Sequence, residues 1–190
     1  MKSLTQKKTM GILLCIVLMI QPSMVVAQDA TLTNIVVTNT RDDLLIYLRV
    51  EGAFRENMET AISSGVPATF SFFVNLYRTR SFWFDKNISE LKILHTIKYD
   101  NLKTEYIVER SWEGNHQNTL KSFDEAKELM AEIDSLKIVA LTHLEKGCQY
   151  QIRTKAKLSE LTLPFYLHYV LFFVALWDFD TDWYTIDFIY

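Results

Sequence analysis

Apolar residues recur at every second position in several stretches of this chain. Leu44, Ile46, Leu48 and Val50 fall on one side of a run whose other side carries Arg49 and Glu51. Phe70, Phe72, Val74 and Leu76 repeat the pattern against Thr69, Ser71 and Asn75, and Leu91, Ile93, Ile97 and Tyr99 against Glu90, Lys92 and Lys98. Tyr106 and Val108 resume it after a turn at Asp100-Asn101. Cys148, Tyr150, Ile152, Ala156 and Leu158 face away from Gln149, Gln151, Arg153, Lys155 and Lys157. A period of two is the signature of strands with one buried and one wet face. That two-sidedness suits antiparallel sheets, since buried parallel strands read apolar throughout. A slip of one residue would turn every such face inside out, so the register is well specified. Residues 31–39 make a weaker opening strand, and Tyr184, Ile186, Phe188 and Tyr190 a closing one.

Two stretches change period. From Phe54 to Ser64, Met58, Ala61 and Ile62 stand at helical spacing, and Gly65-Val66-Pro67 ends the run. From Ser122 to Ile133, Ser122 and Glu125 are spaced as a capping box, and Phe123, Ala126, Leu129, Met130 and Ile133 share a face. A third candidate helix, Leu163 to Trp177, has Pro164 at its first turn. With no repeat and no linker, the pattern predicts a mainly β protein: an antiparallel β-sandwich with two or three short helical inserts.

The first residues read differently. Lys2, Lys7 and Lys8 precede an apolar run from Met10 to Ile20, Gln21-Pro22-Ser23 breaks it, and small residues end it at Ala27. This is the layout of a secretory signal peptide, with cleavage before Gln28, which leaves residues 28–190 as a single β-rich domain. Thr9 to Ala27 is also 19 residues without a charge, so an uncleaved membrane anchor is the alternative. The whole chain has 190 residues and a formal charge of −3; loss of residues 1–27 removes three lysines and no acid and leaves −6. That acidic balance speaks against a nucleic-acid partner. Of two cysteines only Cys148 lies past residue 27, so neither a disulfide framework nor a Cys-based zinc site is expected.

In chain order, Gly65-Val66-Pro67 leads into a strand, Arg78 and Arg80 are followed by Trp83, and Tyr99-Asp100-Asn101-Leu102 lies between two strands. Trp177-Asp178-Phe179-Asp180-Thr181-Asp182-Trp183 comes near the end. In these features the chain resembles an uncharacterised family of exported bacterial proteins, domain-of-unknown-function family 4390, across essentially all of the segment after residue 27. The resemblance implies a signal peptide, one β-rich domain, no known activity and no assigned functional residues. It also implies a partner in the cell envelope, because genes of the family lie beside nitrogen-regulation-type sensor-kinase genes.

The candidate chemistry is sparse. Nucleophile elbows, phosphate-binding Gly loops and His-Glu-x-x-His are absent, although a triad assembled by geometry leaves no sequence trace. His95 lies on the apolar face of its strand and reads as a hydrogen-bonded core residue. Asp178, Asp180 and Asp182 alternate, but an EF-hand needs Gly and Glu where Trp183 and Ile189 stand, so the reading is a turn. No cofactor and no metal is called for. Arg78 and Arg80 continue the apolar face of Phe70 to Leu76, and with Trp83 they admit two readings: a core rim closed by ion pairs, or an anion or partner site at the sheet edge. The uncharged run Leu163–Trp177 is either core or, through Phe165, Phe172, Phe173 and Trp177, a surface for a partner, an apolar ligand or a membrane.

These readings converge on an exported, periplasm-facing, non-enzymatic binding domain with a protein partner in the envelope and possible membrane-surface contact, as an accessory to a sensor kinase. The alternatives are a small lipid or apolar-ligand carrier, a small outer-membrane β-barrel, suggested by the aromatic last strand, and a hydrolase with an unrecognised site.

Overall fold

The computed structural model describes residues 30–114, 116–159 and 179–190. Its strands are β1 (Thr31–Asn39), β2 (Asp43–Glu51), β3 (Ala68–Arg78), β4 (Lys86–Asp100), β5 (Glu105–Arg110), β6 (Gln117–Leu120), β7 (Glu132–Ala140), β8 (Gln149–Ser159) and β9 (Tyr184–Ile189). Helix α1 (Glu56–Ser63) joins β2 to β3, and α2 (Phe123–Ala131) joins β6 to β7. The strands form two antiparallel sheets, one in the order β1-β2-β7 and the other β6-β5-β4-β3-β8-β9. The expected mainly β sandwich with short helices is what the chain forms. Both sheets are open, with β1, β7, β6 and β9 at their edges, so the described strands do not close into a single barrel.

The alternating residues become the core. Leu44, Ile46, Leu48 and Val50 of β2 are buried and belong to one cluster with Phe70, Phe72, Val74 and Leu76 of β3. Tyr150, Ile152, Ala156 and Leu158 of β8 join them. Each large side chain buried in this way contributes about 1.5–3 kcal/mol relative to an exposed one. β3 is the central strand, paired with β4 from Ala68↔Ile97 to Arg78↔Lys86 and with β8 from Thr69↔Ser159 to Arg78↔Tyr150. Where the chain passes from β7 in one sheet to β8 in the other, the buried Tyr150 hydroxyl accepts the Glu145 N–H at 2.8 Å. A tyrosine at the start of a strand, bonded to backbone a few residues upstream, pins such a corner.

Helix α1 ends as the Gly-then-Pro signal predicts. The Gly65 N–H bonds the Ile62 carbonyl at 2.9 Å and the Val66 N–H bonds the Ala61 carbonyl at 3.0 Å, the two bonds of a Schellman motif, with Val66 buried beneath. Gly65 holds φ +91°, and an added Cβ would stand 3.2 Å from Asn101 Nδ2. Gly65→Ala is therefore expected to cost about 1–2 kcal/mol in chemical denaturation; an unchanged midpoint would show that the stop does not depend on glycine.

Two expectations need correction. The capping box at the start of α2 does not form: the Ser122 side chain caps nothing, and its carbonyl accepts the Ala126 N–H at 3.2 Å. Ile133 is not on that helix, which ends at Ala131; it lies in β7, a strand that the periodicity does not predict.

Candidate functional site

β3 and β4 form a hairpin whose pairing stops at Arg78↔Lys86. On the other side of β3 the contact runs one residue further, because the Thr79 N–H and hydroxyl both donate to the Gln149 carbonyl, at 3.0 and 3.2 Å. The base of the loop is clamped as well. Arg153 donates to Asp85 at 3.0 Å while its guanidinium lies 4.6 Å from the centre of the Tyr77 ring. Beyond this base stand three consecutive aromatic residues, Phe82, Trp83 and Phe84, which are 98%, 76% and 89% exposed. Among the described residues none of their rings packs on another aromatic ring. Loops held out by a rigid scaffold are where binding residues concentrate.

The structure separates the three residues singled out at this edge. Arg78 stays at the end of β3 and pairs with Glu145. Arg80 and Trp83 are both exposed in the loop beyond it. Phe82 and Phe84, absent from the sequence reading, complete the tip. Phe165, Phe172, Phe173 and Trp177 lie outside the described residues, as do residues 1–29. The described chain leaves the second sheet at Ser159 and rejoins it at Phe179, whose carbonyl accepts the Leu158 N–H at 3.0 Å. That is the far end of β8 from Gln149, and eleven residues of strand span about 36 Å.

A second polar constellation surrounds His95. The side chain is fully buried and lies 4.8 Å, ring to ring, from Phe72. The Trp112 indole N–H donates to Nε2 at 3.1 Å, which makes Nε2 the acceptor nitrogen. The proton then sits on Nδ1 and is donated to the Met130 carbonyl at 3.1 Å, one of the carbonyls that the last turn of α2 leaves open. Burial pushes the His95 pKa down to about 4, against a smaller opposing effect of the Met130 bond. With both ring nitrogens engaged and no solvent access, His95 is a pin between β4, α2 and the 3₁₀ turn Ser111–Glu113, and cannot serve as a general base.

Among the described residues no group of three or more His, Cys, Asp or Glu is arranged to hold a metal ion. At Asp180-Thr181-Asp182 the backbone is held by Thr181 rather than by an Asp side chain. The Thr181 hydroxyl accepts the Ala156 N–H at 3.0 Å, and Asp180 pairs with Lys155 at 2.6 Å. Cys148 is a half-buried free thiol. No helix among the described residues is long and apolar enough to cross a membrane. Between the edge strands β1 and β9 runs a groove of about 310 Å³, with Ile35, Val37, Leu141, Ile186 and Phe188 among its lining residues.

The family model of a domain of unknown function, DUF4390, matches residues 27–187. The chain belongs to that family. No curated protein and no solved structure matches it. The matched region takes in both sheets of this DUF4390 domain, the aromatic tip and the His95 pin.

Proposed function

We propose that this DUF4390 domain is an exported, non-enzymatic binding domain of the cell envelope, docking through its β3–β4 tip. The observation that carries the reading is the row Phe82-Trp83-Phe84, held into solvent on a clamped hairpin. Exposed aromatics in a row do nothing for the fold, since they neither fill the core nor pair with one another. Aromatic side chains are the residues that dominate docking energy when a partner covers them. The leader-like residues 1–27 support the envelope as the location, and the sensor-kinase link implied by the family resemblance makes such a kinase the first protein partner to test. A second reading, a carrier for a small apolar ligand, rests on the groove between β1 and β9; its volume is at the lower end of ligand sites.

The test is F82S/W83S/F84S. Its stability should stay within about 0.5 kcal/mol of wild type, as for surface sites, while retention on washed envelope membranes should fall by at least about tenfold, the equivalent of losing one buried aromatic contact. Undiminished retention, or recovery of the wild-type chain only from the cytosol, would sink the proposal.

A further inference from the structure

We infer that the aromatic tip is an anchor for the surface of an anionic lipid bilayer; this rests on the docking reading above and names what the tip docks to. Shape is the first argument. Three adjacent residues of a hairpin end, each at least three-quarters exposed, together line a shallow, open hollow of about 460 Å³. A protein pocket takes up one or two such rings, whereas a fluid interface accepts all of them. Trp and Phe are also side chains that settle at the headgroup level of a bilayer.

Charge is the second argument. The loop is flanked by Arg80 and Lys86, and Lys146 stands at the same end, beside Glu145 and Gly147 at the turn into β8. None of these three cations has a carboxylate within 4.0 Å among the described residues. Of the acids nearby, Asp85 is paired with Arg153 and Glu145 with Arg78, while Asp187 accepts only from the neutral Gln151 amide, one acid against these three cations. The uncompensated charge of this end is therefore positive, although the chain as a whole carries −3. An anionic surface would attract this end and repel the rest of the molecule, and so would set its orientation.

The apolar surface also continues beyond the loop. Ile189, 75% exposed, pairs with Gln149, the residue whose carbonyl holds Thr79 at the base of the tip. An apolar side chain thus extends the same end of the sheet, and the rigid hairpin lets the rings enter an interface without reordering the fold.

The decisive experiment mixes the protein recovered from the envelope of the producing cell with protein-free vesicles. One set contains phosphatidylethanolamine with phosphatidylglycerol, the other phosphatidylcholine alone. Co-sedimentation should be stronger with the anionic set and should weaken as salt rises. F82S/W83S/F84S should weaken it at least about a hundredfold, and R80S/K86S about fivefold for each cation removed, with circular dichroism and the urea midpoint unchanged as the check on folding. Absence of tip-dependent binding to the anionic vesicles overturns the inference. If envelope membranes still hold the protein through the tip in that case, the partner is a protein and the docking reading stands. If neither surface holds it through the tip, both fall.

Discussion

Phe72→Ala is expected to lower the free energy of unfolding by about 3–5 kcal/mol, whereas Phe82→Ala, in the loop of the same hairpin, should leave it within about 0.5 kcal/mol. The side chains are identical and only their surroundings differ. Phe72 is fully buried at the middle of β3, with Ile93 beside it on β4 and Ala156 on β8. Its removal takes a large apolar group out of the core and leaves a hole. The backbone around that hole is tied on both sides by ladder hydrogen bonds, so it relaxes poorly. Phe82 is 98% exposed and has almost no burial to lose. The total stability of a domain is about 5–15 kcal/mol, so the first substitution removes a large share of it. Urea titrations of both variants check the contrast, with m-values unchanged from wild type. A cost below about 1 kcal/mol at Phe72, or above it at Phe82, would mean that the hairpin presents its faces the other way.

Strands β2, β3 and β8 were legible because each keeps one face on a single core without interruption. β7 was not, and the reason is local. Between Ile46↔Leu136 and Leu48↔Ile133 the register of β7 shifts, with Ser135 at φ +54° inside the bulge. The bulge puts two consecutive inward residues, Ile133 and Leu136, three positions apart instead of two. Coming after Met130 at the end of α2, that spacing reads as one more turn of helix. A second shift between Leu44 and Leu45 leaves both Ile138 and Val139 buried, which removes the alternation again. Across the sheet a bulge at Asn34, φ +52°, blurs β1 in the same way.

The candidate site was half legible. Trp83 stands out in the sequence, but extrapolating the β3 alternation through Arg78 and Arg80 treats the loop as strand. Pairing with β4 ends at Arg78, and beyond that point a period of two carries no information. The usable signal was three aromatics in a row between two strands, since a half-buried strand can send only alternate residues to its core. For His95 the strand parity with Ile93 and Ile97 was enough to place it inside. Its partners were invisible, because Met130 and Trp112 come from a helix end and a 3₁₀ turn that only the tertiary fold brings to the imidazole.

That imidazole should make the domain acid-sensitive well above the usual carboxylate range. In the unfolded chain His95 titrates near 6.5, and in the folded protein near 4. Above pH 6.5 it is neutral in both states and contributes no pH dependence. Between the two values the unfolded chain takes up a proton that the folded protein refuses, so stability falls as the pH falls. The slope approaches 1.4 kcal/mol per pH unit, and the loss accumulates to about 3 kcal/mol by pH 4. Below pH 4 both states are protonated and this contribution levels off. Protonating the folded form has a specific structural cost. Nε2 would have to give up its lone pair to a proton and could no longer accept from Trp112, which breaks the pin between β4 and the Ser111–Glu113 turn. Carboxylates add their own acid lability; Glu113 is one, since burial pushes its pKa up but Arg110 and Asn118, with a smaller effect of His116, together hold it down. The measurement is therefore a difference: urea stability of wild type and His95→Gln from pH 7 to pH 4. The variant should start less stable at pH 7 and lose the imidazole's share of the slope, so the two curves should converge towards acid. Parallel curves would show that His95 titrates normally and that its burial does not set the acid limit of the fold.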